Sequence, residues 1–135
     1  MNHRHGGFVA IEWVAAVTLL LIPAVVLAGT LPTWAERRHA ATVAAREAVR
    51  ELDREWPGAD PARAELVATQ VAVDHGVAAS DVRVRVVDSG VEPGSQIRVE
   101  VRVRMPAVAI PGLARAGAWA YTASAAARVD DYRSR

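Results

Sequence analysis

The chain opens on an unbroken apolar stretch and becomes periodic only later. Residues 13–35 carry no charge and residues 8–11 in front of them are apolar, so the run exceeds the roughly 20 residues that a membrane-crossing helix needs. Ten positions between Val14 and Leu31 are Leu, Ile or Val, and each favours insertion by about 0.3 to 0.6 kcal/mol at the helix centre. That sum offsets one ionisable residue near the membrane edge, and Glu12 is such a residue. Pro23 lies inside the run, where it removes one backbone hydrogen bond and favours a kink of the kind membrane helices tolerate. Thr18 is expected to bond back to its own helix.

After Pro32 the pattern turns amphipathic. Residues 33–56 contain neither Gly nor Pro, and Ala41, Ala45, Ala48, Leu52 and Trp56 recur at helical spacing, with Arg and Glu on the other faces. The helix is therefore expected to continue out of the membrane, reaching about 70 Å from residue 8 to residue 56 if Pro32 does not bend it. Glu47 with Arg50, and Glu51 with Arg54, are spaced for weak surface pairs. Pro57-Gly58 stops the helix and Asp60-Pro61 starts another, with Asp60 as N-cap and Pro61 at the first helical position. This second helix should end near His75-Gly76 and offer Leu66, Val67, Val71 and Val73 as apolar surface.

Alternation follows. Val82, Val84 and Val86 interleave with Arg83 and Arg85, and Ile97, Val99, Val101 and Val103 interleave with Arg98, Glu100, Arg102 and Arg104. These are two half-buried strands, joined through Asp88-Ser89-Gly90 and Pro93-Gly94 as an antiparallel hairpin. Two strands alone are seldom stable, so residues 117–129, with Trp119 and Tyr121, are expected to complete the sheet. The predicted fold is α+β: a long N-terminal transmembrane helix, then a short helix packed on a small antiparallel sheet of about three strands. Its segments are a polar leader at 1–7, a membrane span at 8–34, a helix extending outward at 35–56 and a small soluble domain at 57–135.

Composition narrows the chemistry. Hydrophobic residues make up 52% of the chain but aromatics only 5%, so Ala and Val must build a light core. The absence of cysteine removes disulfides, zinc–thiolate sites and thiol nucleophiles. All sixteen basic residues are Arg, balanced closely enough to leave a net charge of +1, so no general attraction for nucleic acid is expected. His3 and His5 sit in an exposed polar leader, and His39 and Asp74-His75 lack a nucleophile or orienting group at any recognisable spacing. They read as surface or capping residues. Arg83, Arg85, Arg98, Arg102 and Arg104 project from one hairpin face as a candidate interaction patch, with a solvated outer face as the plainer alternative. No phosphate loop, paired catalytic carboxylates, metal set or cofactor motif is present, and no enzyme activity is expected.

Glu12 poses the sharper question, since a carboxylate entering an apolar helix needs the interface, a proton or a cation. The positive end of the helix is one source of help. The residues before Glu12 suggest another, because Met1 to Gly7 form a short leader with His3, Arg4 and His5 that ends in Gly6-Gly7. Here the sequence resembles the prepilin processing motif, matched at Gly7, Phe8 and Glu12. The resemblance implies cleavage after Gly7 by a prepilin peptidase, an amino terminus at Phe8, and pairing of the Glu12 carboxylate with the amino terminus of a neighbouring subunit. Such a pair is far stronger in a low-dielectric setting than in water. Cleavage would also remove Arg4, leaving fifteen Arg against fifteen Asp plus Glu.

The order of elements, the Leu19-Leu20-Leu21-Ile22-Pro23 run and the closing Ala125-Ala126-Ala127-Arg128-Val129 are similar to the TadE-like minor pseudopilins of tight-adherence pili. That likeness implies a structural or assembly component with other pilin-like subunits and membrane lipid as partners. It implies a single pass through the cytoplasmic membrane with the C-terminal domain outside. The arginine count pulls the other way: Arg37, Arg38, Arg46 and Arg50 follow the span and only Arg4 precedes it, which by the positive-inside rule favours a cytoplasmic C-terminal part. The alternatives are an uncleaved anchored binding module that uses the Arg-lined hairpin, and a secretory signal cut near Val26-Leu27-Ala28-Gly29. The apolar run is long for a secretory signal, and Glu12 lies within it.

Overall fold

The structure, a computed structural model, describes residues 6–89, 92, 94–110, 114–116 and 119–129. The elements run in the order α1 (Gly6–Glu55), α2 (Pro61–Asp74), a 3-10 turn (Ala79–Asp81), β1 (Val82–Ser89), β2 (Gln96–Arg104), β3 (Val108–Ile110), β4 (Ala114–Ala116) and β5 (Ala120–Arg128). This is the α+β arrangement that the sequence pattern predicts, with a long apolar helix first and a short helix and three-stranded antiparallel sheet after it. The chain divides into two compact units, Met1–Pro32 with Ala107–Gly117, and Thr33–Pro106 with Ala118–Arg135. Helix α1 contributes to both.

In the first unit, α1 exposes most of its apolar side chains, and among residues 10–32 only Pro23, Val26 and Thr30, along one side, are half-buried. Ile11, Val14, Val17, Leu20 and Leu31 all stand out, with Leu20 at 77% exposure, and none of the most apolar window is buried. This is one helix long and apolar enough to cross a membrane. At about 1.5 Å per residue, residues 10–31 rise roughly 33 Å, against a hydrocarbon core of about 30 Å. Pro23 and Pro32 both lie within the helix. The hydroxyls of Thr18 and Thr30 donate to the carbonyls of Val14 (2.7 Å) and Leu27 (2.9 Å), so neither is left unbonded in an apolar medium. The other secondary structure of this unit is a two-stranded antiparallel pair, β3 with β4, registering Val108 opposite Ala116.

The second unit is built on alanine and valine. Helix α1 supplies Ala40, Ala41, Ala44, Ala45, Ala48, Val49 and Leu52 to a single buried cluster that also holds residues of α2 and the sheet. The sheet order is β1-β2-β5, with β2 central. Its core side is read from the register: Val82, Val103 and Tyr121 in one row, Val84, Val101 and Ala123 in the next, Val86, Val99 and Ala125 after that. Large valines occupy the centre and small alanines the β5 edge, as light packing at low aromatic content requires.

Helix α2 begins as its sequence dictates. The Asp60 carboxylate accepts from the Ala62 amide at 2.9 Å and Pro61 takes the first turn. It ends in a Schellman motif: Gly76 at φ +80° donates to the Val73 carbonyl (2.8 Å), and Val77 donates to Ala72 (3.0 Å). Its buried face differs from the expected one. Leu66 is 72% exposed and Val73 is exposed too, whereas Ala64, Ala68 and Ala72 are fully buried. A four-residue alanine repeat lets the α2 backbone approach its neighbours more closely than leucine would, and Val71 packs against the cluster beside it. Arg63 then ties the helices together by pairing with Glu51 (2.9 Å) and Glu55 (3.0 Å) of α1. Glu51 thus engages Arg63 more closely than Arg54, at 3.9 Å, while the Glu47–Arg50 pair forms at 3.0 Å.

Two truncations test this core in urea unfolding of the full chain followed by tryptophan fluorescence. Leu52→Ala should cost about 2–5 kcal/mol through the cavity it leaves. Leu66→Ala, which removes as much apolar volume from an exposed position, should stay within about 0.5 kcal/mol of wild type.

Candidate functional site

The arginine row predicted from alternation lies on the outer face of the sheet: Arg83, Arg85, Arg98, Arg102 and Arg104 are all exposed. The register sorts these charges unevenly. Arg85 stands opposite Glu100, and Arg98 stands opposite Asp88 while donating to Gln96 at 3.3 Å. Arg83 stands opposite Arg102, with Arg104 two residues further along β2. Like charges directly across a strand pair are unfavourable, so positive charge concentrates at one end of the sheet.

A β-bulge sets this pattern. The register shifts between Val86 and Asp88, which leaves Val87 as the inserted residue. Strict alternation would turn Asp88 toward the core. The extra residue returns it to the outer face, opposite Arg98.

The basic end forms an open depression of about 360 Å³ lined by Ser80, Asp81, Arg83, Arg102, Arg104 and Trp119, with Ala120 at its edge. Its one carboxylate is already engaged, since Arg37 of α1 pairs with Asp81 at 3.1 Å and donates to the Arg104 carbonyl at 2.6 Å. Arg83 donates to the backbone carbonyls of Ser80 (3.3 Å) and Val82 (2.9 Å), which braces its guanidinium over the strand start. Among the described residues, neither Arg102 nor Arg104 has a carboxylate partner.

An aromatic cluster adjoins the depression. Trp34 of α1 meets Trp119 edge-to-face at 5.7 Å, and the Arg38 guanidinium lies 5.7 Å from the Trp119 ring centre and 5.3 Å from that of Tyr121. The Trp119 carbonyl accepts from the Met105 amide at 2.8 Å, which fixes the approach to β5. Trp34, Arg37 and Arg38 therefore pin the first turns of α1 in this unit to the basic end of the sheet. The sequence pattern puts all three in the helix and counts Arg37 and Arg38 only toward membrane orientation, with no contact to the sheet expected. The Trp34-x-x-Arg37-Arg38 spacing just past an apolar run is the signal that marks them.

The other candidates are more dispersed. Gly7 and Phe8 lie in the first turns of α1, one turn before Glu12, which is exposed and has no ion pair among the described residues. His3 and His5 lie outside the described residues. His39 and His75, distant in sequence, come together with ring centres 5.9 Å apart. His75 Nδ1 lies 2.8 Å from the Val71 carbonyl at the end of α2, and the neighbouring Asp74 accepts from Gln70 at 2.8 Å. Among the described residues no group of three His, Cys, Asp or Glu side chains gathers to hold a metal.

Fold and site together define an α+β chain that carries one helix able to span a membrane and an arginine-rich depression on its sheet. No family model, curated protein or solved structure matches it.

The opposition of Arg83 and Arg102 has a measurable consequence. Arg102→Thr should raise stability by about 0.2–1 kcal/mol in lipid-free detergent at low salt. The gain should shrink as salt screens the wild-type repulsion, and urea titrations at two ionic strengths would check both statements.

Proposed function

We propose that this chain is a minor pilin-like component of a tight-adherence pilus or a related secretion apparatus, non-enzymatic and held in the cytoplasmic membrane until it packs with other subunits. The observation that carries this reading is the helix itself. Residues 10–31 bury none of their apolar side chains fully and expose most of them, Glu12 is the one charge in the stretch, and the same helix continues as part of the core of a small α+β unit. An apolar helix of this kind is satisfied by lipid, or by the helices of neighbouring subunits after assembly. Gly7, Phe8 and Glu12 support processing, because cleavage after Gly7 would create an ammonium group next to a position where a buried carboxylate needs a cation. The prepilin peptidase and other pilin-like subunits are the partners this reading requires.

A second reading, an uncleaved anchored module that binds through the hairpin, is favoured by the depression around Arg83, Arg102 and Arg104. The two differ at the amino terminus. Co-expression with a prepilin peptidase should yield a shortened chain whose amino-terminal sequence begins at Phe8, and an intact Met1 in that host would overturn the processing step. Glu12→Ala should leave the chain in the membrane while assembly with partner subunits is lost. Unimpaired assembly of that variant would favour the second reading.

A further inference from the structure

The depression is held by helix residues that follow the apolar run closely in the chain. Trp34 follows Leu31, the last large apolar residue of the exposed helix, by three positions, and Arg37 and Arg38 come three and four positions after it, past Ala35 and Glu36. Tryptophan favours the level of the lipid headgroups, and arginine near a bilayer surface is drawn to anionic ones. Trp34 packs on Trp119, Arg37 holds Asp81 and the Arg104 carbonyl, and Arg38 covers Trp119 and Tyr121. Trp119, Asp81 and Arg104 all line the depression. Trp34 and Arg37 stand three and six residues past Leu31, so the depression they attach to is tied to the first turns of chain after the apolar run.

We infer that the depression formed by Arg83, Arg102, Arg104 and Trp119 is a binding site for the phosphate headgroup of an anionic phospholipid. Three features converge on this. The opposed Arg83 and Arg102 repel each other until an anion lies between them. Asp81 is neutralised by Arg37 and does not compete for the guanidiniums. Arginine also presents planar donors that match phosphate oxygens two at a time, while Trp119 offers an amphipathic ring in the same depression. The arginines at the far end of the face are set against acidic groups, Arg85 opposite Glu100 and Arg98 opposite Asp88, and are not part of the site.

This inference rests on the membrane placement of α1, so the experiment reads placement and lipid choice separately. The full chain is inserted in membranes holding equimolar phosphatidylglycerol and phosphatidylcholine, extracted in mild detergent, and its retained lipids are quantified by mass spectrometry. Wild type should retain phosphatidylglycerol in preference, and the preference should fall as salt rises. The triple variant Arg83→Gln, Arg102→Gln, Arg104→Gln should lose about a hundredfold of it, at roughly fivefold for each guanidinium. Lysine at the same three positions, which keeps the charge without the planar donors, should keep only part of it, and Arg46→Gln with Arg50→Gln should change nothing. Unchanged preference in the glutamine variant, or none in wild type at any salt, would overturn the proposal. So would displacement of the lipid by an acidic peptide at constant ionic strength, which would assign the depression to a protein ligand. Alkaline extraction reads the anchor alone: release of wild-type chain from the membrane would sink the membrane placement whatever the lipid result.

Discussion

Close approach of small side chains to one another is the constraint on which the α+β unit depends. Ala40, Ala41, Ala44, Ala45 and Ala48 on α1 and Ala64, Ala68 and Ala72 on α2 are all fully buried. With so few aromatic side chains to fill space, the interior is closed by bringing backbones together, and dispersion between them replaces the bulk that larger residues would supply. Leu52, Ile97 and the β2 valines then fill what remains. A core of this type leaves little tolerance for added volume, since each alanine marks a place where a neighbouring backbone or side chain already stands.

Helix α1 meets two different demands along its length. In residues 10–31 no residue is fully buried, and only the side that carries Pro23, Val26 and Thr30 is partly covered. Past Thr33 one side is buried among α2 and the sheet, and charge appears on the others, at Arg46 and Arg50 among them. The change falls within a few residues, where Trp34, Arg37 and Arg38 engage the sheet end.

Much of this was legible in the sequence, and the parts that were not share a cause. Period-two alternation gave β1 and β2, and Asp60-Pro61 and His75-Gly76 gave both ends of α2, because caps and alternation are local. The buried face of α2 was misjudged because hydrophobicity ranks Leu66 and Val73 above alanine, while packing distance selected Ala64, Ala68 and Ala72. The short β3–β4 pair was missed although Pro111-Gly112 lies between its strands, since runs of three residues carry almost no periodic signal. For the site, alternation found the arginine row but not its division into balanced and unbalanced ends. That division depends on cross-strand partners, which only the register supplies, and the helix residues that reach the depression lie more than forty positions from Asp81.

The bulge at Val87 also gives the sheet surface a direction. By returning Asp88 to the outer face, one inserted residue sets the turn end of the hairpin against acid and leaves the other end in net positive charge. The outer face is therefore an electric dipole lying in the plane of the sheet. A chain with a net charge of only +1 can thus be oriented at a charged surface by torque rather than by net attraction, with the end that holds Arg83, Arg102 and Arg104 turned toward negative charge.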